Sequence, residues 1–167
     1  TLRTGRCSEA GRAYLVTTVT HQRRRVFTSL DAGRRLVRVL MQAQAAGWAE
    51  TLAYVVMPDH VHWLCVLGED HALSTVVGWV KGSASRALGG RWHAGQLWQP
   101  GFHDHAVRSD EDLRQVARYL VANPLRAGLV ACALVAAASA VVAVADLLKA
   151  ADLVSKQLQG QAQGTDF

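Results

Sequence analysis

The sequence predicts an α+β domain: a ferredoxin-like split βαβ antiparallel sheet with an additional C-terminal helix that carries a tyrosine. Three observations predict it. The chain has 167 residues, 50% of them hydrophobic and 19% charged, which is enough apolar material for one core and too little charge for disorder. Its apolar periodicity switches between two and about 3.6 residues as the chain advances. The resulting order is strand, helix, strand, strand, helix, strand, helix.

Each element follows from its residues. Tyr14 to Thr20 (YLVTTVT) is short and rich in β-branched residues, a strand. His21 to Arg25 is a polar turn with three consecutive arginines. Ser29 or Asp31 can cap a helix reaching about Ala46, with Leu36, Val39, Leu40 and Ala43 on one face and Gly47 as its stop. Thr51 to Met57 is a second strand. Pro58-Asp59 breaks it, and His60 to Leu67 pairs back on it as a hairpin. After a loop at Gly68 to Asp70, Ser74 can cap a helix from Thr75 to about Leu88. Gly89 to Gly101 reads as a long loop, and His105 to Arg108 as a short fourth strand. Ser109-Asp110-Glu111-Asp112 is a helix start, a capping serine followed by acids in the first turn. That helix carries Leu113, Val116, Ala117 and Leu120 and stops before Pro124. From Ala131 to Ala151 the chain is alanine-rich and helical by propensity, and Gln157 to Phe167 is a tail. The expected division is a domain over residues 1–130 and an atypical segment over 131–167.

Charge and cysteine usage narrow the function classes. The formal charge is +5, and because only Lys81, Lys149 and Lys156 are lysines, the basic side is almost entirely arginine. Arginine forks match phosphate oxygens in bidentate geometry, which leans toward a nucleic-acid partner. Cys7, Cys65 and Cys132 are odd in number and far apart, so neither a disulfide framework nor a zinc knuckle is expected, and a cytoplasmic setting is. No signal peptide is read in the first residues. Gly128 to Ala145 is uncharged but made mostly of alanine and valine, so a packed helix is expected there rather than a membrane span.

The sharpest chemical feature is His60-Val61-His62. On a strand, residues i and i+2 share a face, so both imidazoles can converge on one metal while Val61 faces the core. Chance alone supplies about 0.3 such pairs in a chain of this composition, and a second, His103-Asp104-His105, is present. Either pair can equally be polar strand residues. Tyr119 and Asn123 stand four apart on the last helix and share a face. A tyrosine there is commonly an amphipathic core residue, and an asparagine before proline a helix stop. Taken together, the four residues describe a mechanism. Two histidines and an amide oxygen leave open positions on a divalent ion for the oxygens of a phosphodiester, and a tyrosine one turn from the amide can attack phosphorus. The products are a free 3′-hydroxyl and a 5′-phosphotyrosine, a bond that conserves energy for strand transfer.

The blocks MPDHVHWL (Met57 to Leu64), WQPGFHDHAVRSDEDL (Trp98 to Leu113) and RYLVANPLRAGLV (Arg118 to Val130) resemble the single-tyrosine HUH transposases related to IS200, in particular the REP-associated tyrosine transposase branch. The resemblance runs in order from about Tyr14 to Val130. It implies the ferredoxin-like sheet already read from the element order. It also implies a metal site at His60, His62 and Asn123, Tyr119 as nucleophile, and Mg²⁺ or Mn²⁺ as cofactor. The substrate it implies is a single-stranded DNA hairpin of repetitive extragenic palindromes with a guide sequence beside the foot. The chain departs from that family after Val130. A Tyr-Pro or Trp-containing segment is usual there, and the alanine-rich stretch shows neither.

Arg23, Arg24 and Arg25 after the first strand, Lys81 and Arg86 on the second helix, and Arg126 after Asn-Pro fit a phosphate track, and equally a solvated surface. Trp92 and Trp98 can stack on unpaired bases or anchor their loop. Asp59 and Asp104 can orient a neighbouring imidazole. The expected partner is hairpin DNA, with no membrane and no protein partner implied, for a monomer or homodimer. The alternative is a single-stranded nucleic-acid-binding protein or repressor that keeps the fold without cleaving. A histidine phosphoesterase acting on small nucleotides ranks lower, because Leu64 stands where a third histidine on that strand would be.

Overall fold

Alternation of side chains along β1 (Ala13–Val19) sets the architecture. Tyr14 and Val16 are buried on one side, while Leu15, Thr17 and Val19 are only half-buried on the other. A computed structural model describes this element and the rest of residues 8–89 and 96–107, together with 115, 116, 119 and 120. α1 (Leu30–Ala45), β2 (Ala49–Met57), β3 (His60–Leu67), α2 (Leu73–Ala87) and β4 (His103–Ala106) follow. The strands lie in the order β2-β3-β1-β4, every neighbouring pair antiparallel. This is the split βαβ sheet that the sequence predicts, with β3 and β1 at its centre.

The two faces of the sheet are covered differently. α1 and α2 pack on one, where Val39, Leu40 and Ala43 and Val76, Val77 and Val80 close over Tyr14, Val16, Tyr54, Trp63 and Cys65. On the other face, Ala53, Val55, Met57 and Leu64 meet Val116 and Leu120. Residues 115, 116, 119 and 120 are helical, so the expected last helix lies against this second face. A third cluster joins Phe27, Leu36, Val61, Ala84, Leu97 and Trp98 at the end of the sheet where the β2–β3 hairpin turns.

Local chemistry accounts for most element ends. Ser29 caps α1, its hydroxyl accepting from the Ala32 N–H at 3.2 Å, and Asp31 sits in the first turn. Gly47, at φ +73°, ends the helix and turns the chain into β2. Gly68 cannot be replaced without movement, since a Cβ there would stand 2.1 Å from the Gly47 carbonyl oxygen.

Two boundaries differ from expectation. α2 begins at Leu73 and not at Thr75, with Ala72 in the capping position. The acceptor is supplied from elsewhere: the Leu73 N–H donates to Ser8 Oγ at 3.1 Å. β4 spans His103–Ala106 rather than 105–108, because β1 pairs Thr17 with His103 and Tyr14 with Ala106. Among the described residues no helix is long and apolar enough to cross a membrane. The alanine-rich segment, the tail and the division at residue 130 lie outside the described residues.

Candidate active site

The β2–β3 hairpin turns through Pro58 and Asp59 alone, with Met57 paired to His60. That tight turn fixes the parity of β3. Val61 and Trp63 enter the core on the helix-covered side, so His60 and His62 share the opposite face. Their rings are nearly perpendicular, with centroids 4.9 Å apart. β1 and β2 flank the pair, Val19 and Met57 opposite His60 and Thr17 and Val55 opposite His62.

Both rings are held through Nδ1. His60 Nδ1–H donates to Asp59 Oδ1 at 2.6 Å. His62 Nδ1 lies 2.8 Å from the Thr17 hydroxyl. The Asp59 carboxylate puts the His60 proton on Nδ1 and leaves its Nε2 lone pair outward, the arrangement in which an imidazole binds a metal, and a Thr17 hydroxyl that accepts does the same for His62. Burial, and then the neighbouring His60, lower the His62 pKa from 6.5 to about 4, so that ring is neutral at physiological pH and ready to ligate. Thr17 is the residue that sequence reading missed; only the register of β1 on β3 brings its hydroxyl to the ring.

Asp59 has a second partner. Arg23 donates to Asp59 Oδ2 at 3.0 Å. Burial raises the Asp59 pKa, but hydrogen bonds and charge from His60 and Arg23 outweigh it and hold the carboxyl below its ordinary value. Arg23 reaches Asp59 from an unusual backbone: Gln22 and Arg23 have φ of 55° and 52°, the left-handed region that side chains rarely occupy. Thr20 closes this bend, its hydroxyl donating to the carbonyls of Arg24 and Asp59 at 2.7 and 2.9 Å.

Tyr119 is 47% exposed on the helical stretch whose Leu120 is fully buried. Leu120 clusters with Val55 and Met57, the cross-strand partners of His62 and His60. The tyrosine is therefore carried on the histidine face of the sheet. Asn123 and Arg126 lie outside the described residues, as does Trp92. Among the described residues no group of three His, Cys, Asp or Glu side chains could hold a metal, so a third ligand of another type would be needed to complete this site.

The other basic residues separate into distinct settings. Lys81 donates its ammonium to the carbonyls of Gln99 and Gly101 at 2.7 and 2.6 Å. Trp98, buried against Phe27, donates Nε1–H to the Lys81 carbonyl at 3.0 Å. Both residues thus tie the loop over residues 96–101 to α2, and Trp98 is a loop anchor rather than an exposed stacking platform. Arg24 binds the carbonyls of His21 and Gln96. Arg25 is exposed, and Arg86 donates to Ser83 Oγ at 2.9 Å on the helix layer, away from the histidine face. His103 and His105 are exposed on β4, across β1 from the His60 and His62 strand.

The family model described as "Transposase IS200 like" matches residues 10–123. A REP-associated tyrosine transposase of Escherichia coli K12 is 34% identical over 82 residues, covering 48% of this chain and 47% of that protein. A Haemophilus influenzae relative is 29% identical over 92 residues, 48% of this chain and 52% of its own length. The chain thus spans about half the length of the curated relatives it matches. A solved structure of a REP-associated tyrosine transposase bound to a REP hairpin superposes with a TM-score of 0.67 at 24% identity, covering 80% of this chain and 78% of that one, a likeness of fold.

Proposed function

The chain belongs to the IS200-like transposase family, and from that membership we propose that it is a metal-dependent DNA transesterase acting on single-stranded hairpin DNA of repetitive palindromes. The observation that carries the reading is the pair of Nδ1-anchored imidazoles, 4.9 Å apart, on the sheet face that also carries Tyr119. The REP hairpin bound by the protein of similar fold supports the choice of substrate.

His60 and His62 fit a divalent ion through Nε2, and the Asn123 amide oxygen is the proposed third ligand. Nitrogen and oxygen donors suit Mn²⁺ somewhat better than Mg²⁺. When bound, the ion draws charge from the non-bridging oxygens of a phosphodiester. Asp59 keeps the His60 ring in the ligating tautomer, and Thr17 fixes the orientation of the His62 ring. The Tyr119 oxygen forms the new bond to phosphorus as the bond from phosphorus to the 3′-oxygen breaks. The phenolic proton passes to water, and the 3′-oxygen leaves as a hydroxyl after taking a proton from solvent. The 5′-phosphate stays on the tyrosine until a 3′-hydroxyl attacks it in the reverse sense. Arg23, exposed beside Asp59, and Arg126 are proposed to hold the flanking backbone phosphates.

The test is covalent capture. Labelled hairpin DNA incubated with Mn²⁺ and run on a denaturing gel should shift the wild-type protein and leave Tyr119→Phe unshifted. An adduct persisting in Tyr119→Phe refutes the assignment. Hairpin binding without an adduct in wild type supports the non-cleaving alternative instead.

A further inference from the structure

We propose that His103 and His105 form a second metal site, a two-imidazole chelate for a borderline-soft divalent ion such as Zn²⁺, separate from the His60 and His62 pair. β4 carries the second His-x-His of the chain, and nothing in the proposed chemistry uses it. Its two imidazoles stand two residues apart on a strand. They therefore project from one face, with Cα atoms about 6.6 Å apart at roughly 3.3 Å per residue. Both are exposed, whereas Asp104 and Ala106 are half-buried.

Register decides which face that is. β4 lies beyond β1 in the sheet, and the two strands pair without interruption from Thr17 with His103 to Tyr14 with Ala106. Thr17 is the partner of both His62 and His103, and Leu15 is the partner of both Leu64 and His105. Cross-strand partners share a face. The sheet thus brings both His-x-His motifs to one side, with β1 between them. Asp104 is opposite Val16, on the helix-covered side where Phe102 and Ala106 pack. On β3 the same i, i+2 spacing sets two rings with centroids 4.9 Å apart. Two nitrogens on a tetrahedral zinc stand about 3.3 Å apart at Zn–N distances of about 2.0–2.1 Å, which exposed rings reach by rotamer changes alone.

The donor set selects the ion. Mg²⁺ and Ca²⁺ demand oxygen ligands, and β4 offers no carboxylate on the histidine side. Imidazole suits Zn²⁺, Cu²⁺ and Ni²⁺, and solvent fills the remaining positions. An imidazole has two ring nitrogens, so a contact at one nitrogen of His105 is compatible with ligation through the other. Neighbouring strands are about 4.8 Å apart, which puts β4 about 10 Å from β3. Thr17 lies between, its hydroxyl engaged with His62 Nδ1. An ion on β4 therefore has its own ligands and adds positive charge to the face that carries Tyr119. The site stands whether or not Tyr119 is the nucleophile.

The experiment is calorimetric titration of Zn²⁺ into the chelator-stripped full chain. Wild type is compared with His103→Ala, with His105→Ala, with the protein carrying both changes, and with the protein carrying both His60→Ala and His62→Ala. Wild type should bind one more equivalent of Zn²⁺ than the protein lacking both β4 histidines, and the protein lacking both β3 histidines should keep that equivalent. Loss of a ligand's outer partner alone weakens a site about 10- to 100-fold, so either single β4 change should weaken this equivalent by about tenfold or more. Equal melting temperatures show that the fold is kept. Equal stoichiometry and affinity in wild type and in the protein lacking both β4 histidines would overturn the proposal. So would losses of only about twofold in each single variant, which would mark two separate surface imidazoles. Disappearance of the same equivalent from a folded protein lacking His60 and His62 would mean one ion shared by both pairs, and would overturn it too. If that protein does not fold, wild type against the three β4 variants decides the question.

Discussion

Removal of the Asp59 carboxylate should weaken metal binding far more than it weakens the fold. The side chain accepts from His60 Nδ1 at 2.6 Å and from Arg23 at 3.0 Å, whereas the Asp59 backbone carbonyl separately accepts from the Thr20 N–H and hydroxyl, each at 2.9 Å. Asp59→Ala deletes the first two bonds and leaves the second two. The ion pair is a weak term, because the Arg23 side chain is 66% exposed, and such pairs contribute about 0–1 kcal/mol. The bond to His60 adds about 1 kcal/mol, so the melting temperature should fall by only a few degrees. Loss of a partner that orients a ligating imidazole costs about 10- to 100-fold in metal affinity, or roughly 1.4–2.8 kcal/mol. Calorimetric titration of Mn²⁺ into the chelator-stripped protein should therefore show a dissociation constant raised toward the upper end of that range in Asp59→Ala. In Asp59→Asn, whose amide oxygen still accepts from Nδ1–H, the rise should be nearer the lower end. A folded Asp59→Ala protein binding Mn²⁺ as tightly as wild type would refute the reasoning.

Three further outcomes are expected. His62 titrates near 6.5 when unfolded and at about 4 when folded, so between these values the unfolded chain binds a proton that the folded one excludes. The metal-free protein is thus fully stabilised above the unfolded pKa and loses up to about 3 kcal/mol as pH falls toward 4, less what partial exposure screens. Denaturant melts across this range should show that slope in wild type and a flatter one in His62→Gln, and identical slopes would count against it. Lys81→Met removes both bonds to the loop over residues 96–101 and should cost about 1–3 kcal/mol, while leaving the salt dependence of DNA binding in place. A slope lowered by about 1 would instead make Lys81 a phosphate contact. Cys65 is fully buried and its thiol is pushed well up by burial, so peptide mapping after native alkylation should find it unmodified, and rapid labelling would contradict the packing.

The features legible in the sequence were those encoded locally. Strand periodicity, the Pro58-Asp59 turn and the Ser29 cap each act within a few residues, and the order of elements then leaves few topologies. The pairing of His60 with His62 was legible for the same reason, since a strand places i and i+2 together. Features that depend on distant segments were not. Nothing near Leu73 shows that Ser8 will accept its N–H, and nothing near Lys81 shows that Gln99 and Gly101 will take its charge. Thr17 looks like any β-branched strand residue until the register of β1 sets it opposite His62. Arg35 and Arg38 of α1 likewise come to line one groove with Arg86 of α2 only once the two helices lie side by side.

The two-residue turn before His60 makes the hairpin sensitive to length in a particular way. An insertion or deletion of one residue at Pro58-Asp59 that no bulge or longer loop absorbs turns one strand over. If β3 turned, Val61 and Trp63 would face outward and both imidazoles would enter the helix-covered core, where Val16 and Val77 already fill the space. If β2 turned, Val55 and Met57 would leave the surface on which Leu120 rests, and the helical stretch that carries Tyr119 would lose its apolar seat. A single-codon loss in the turn that shifted β3 by one residue would take both imidazoles off the sheet face on which Leu120 rests, though both histidines remained in the sequence.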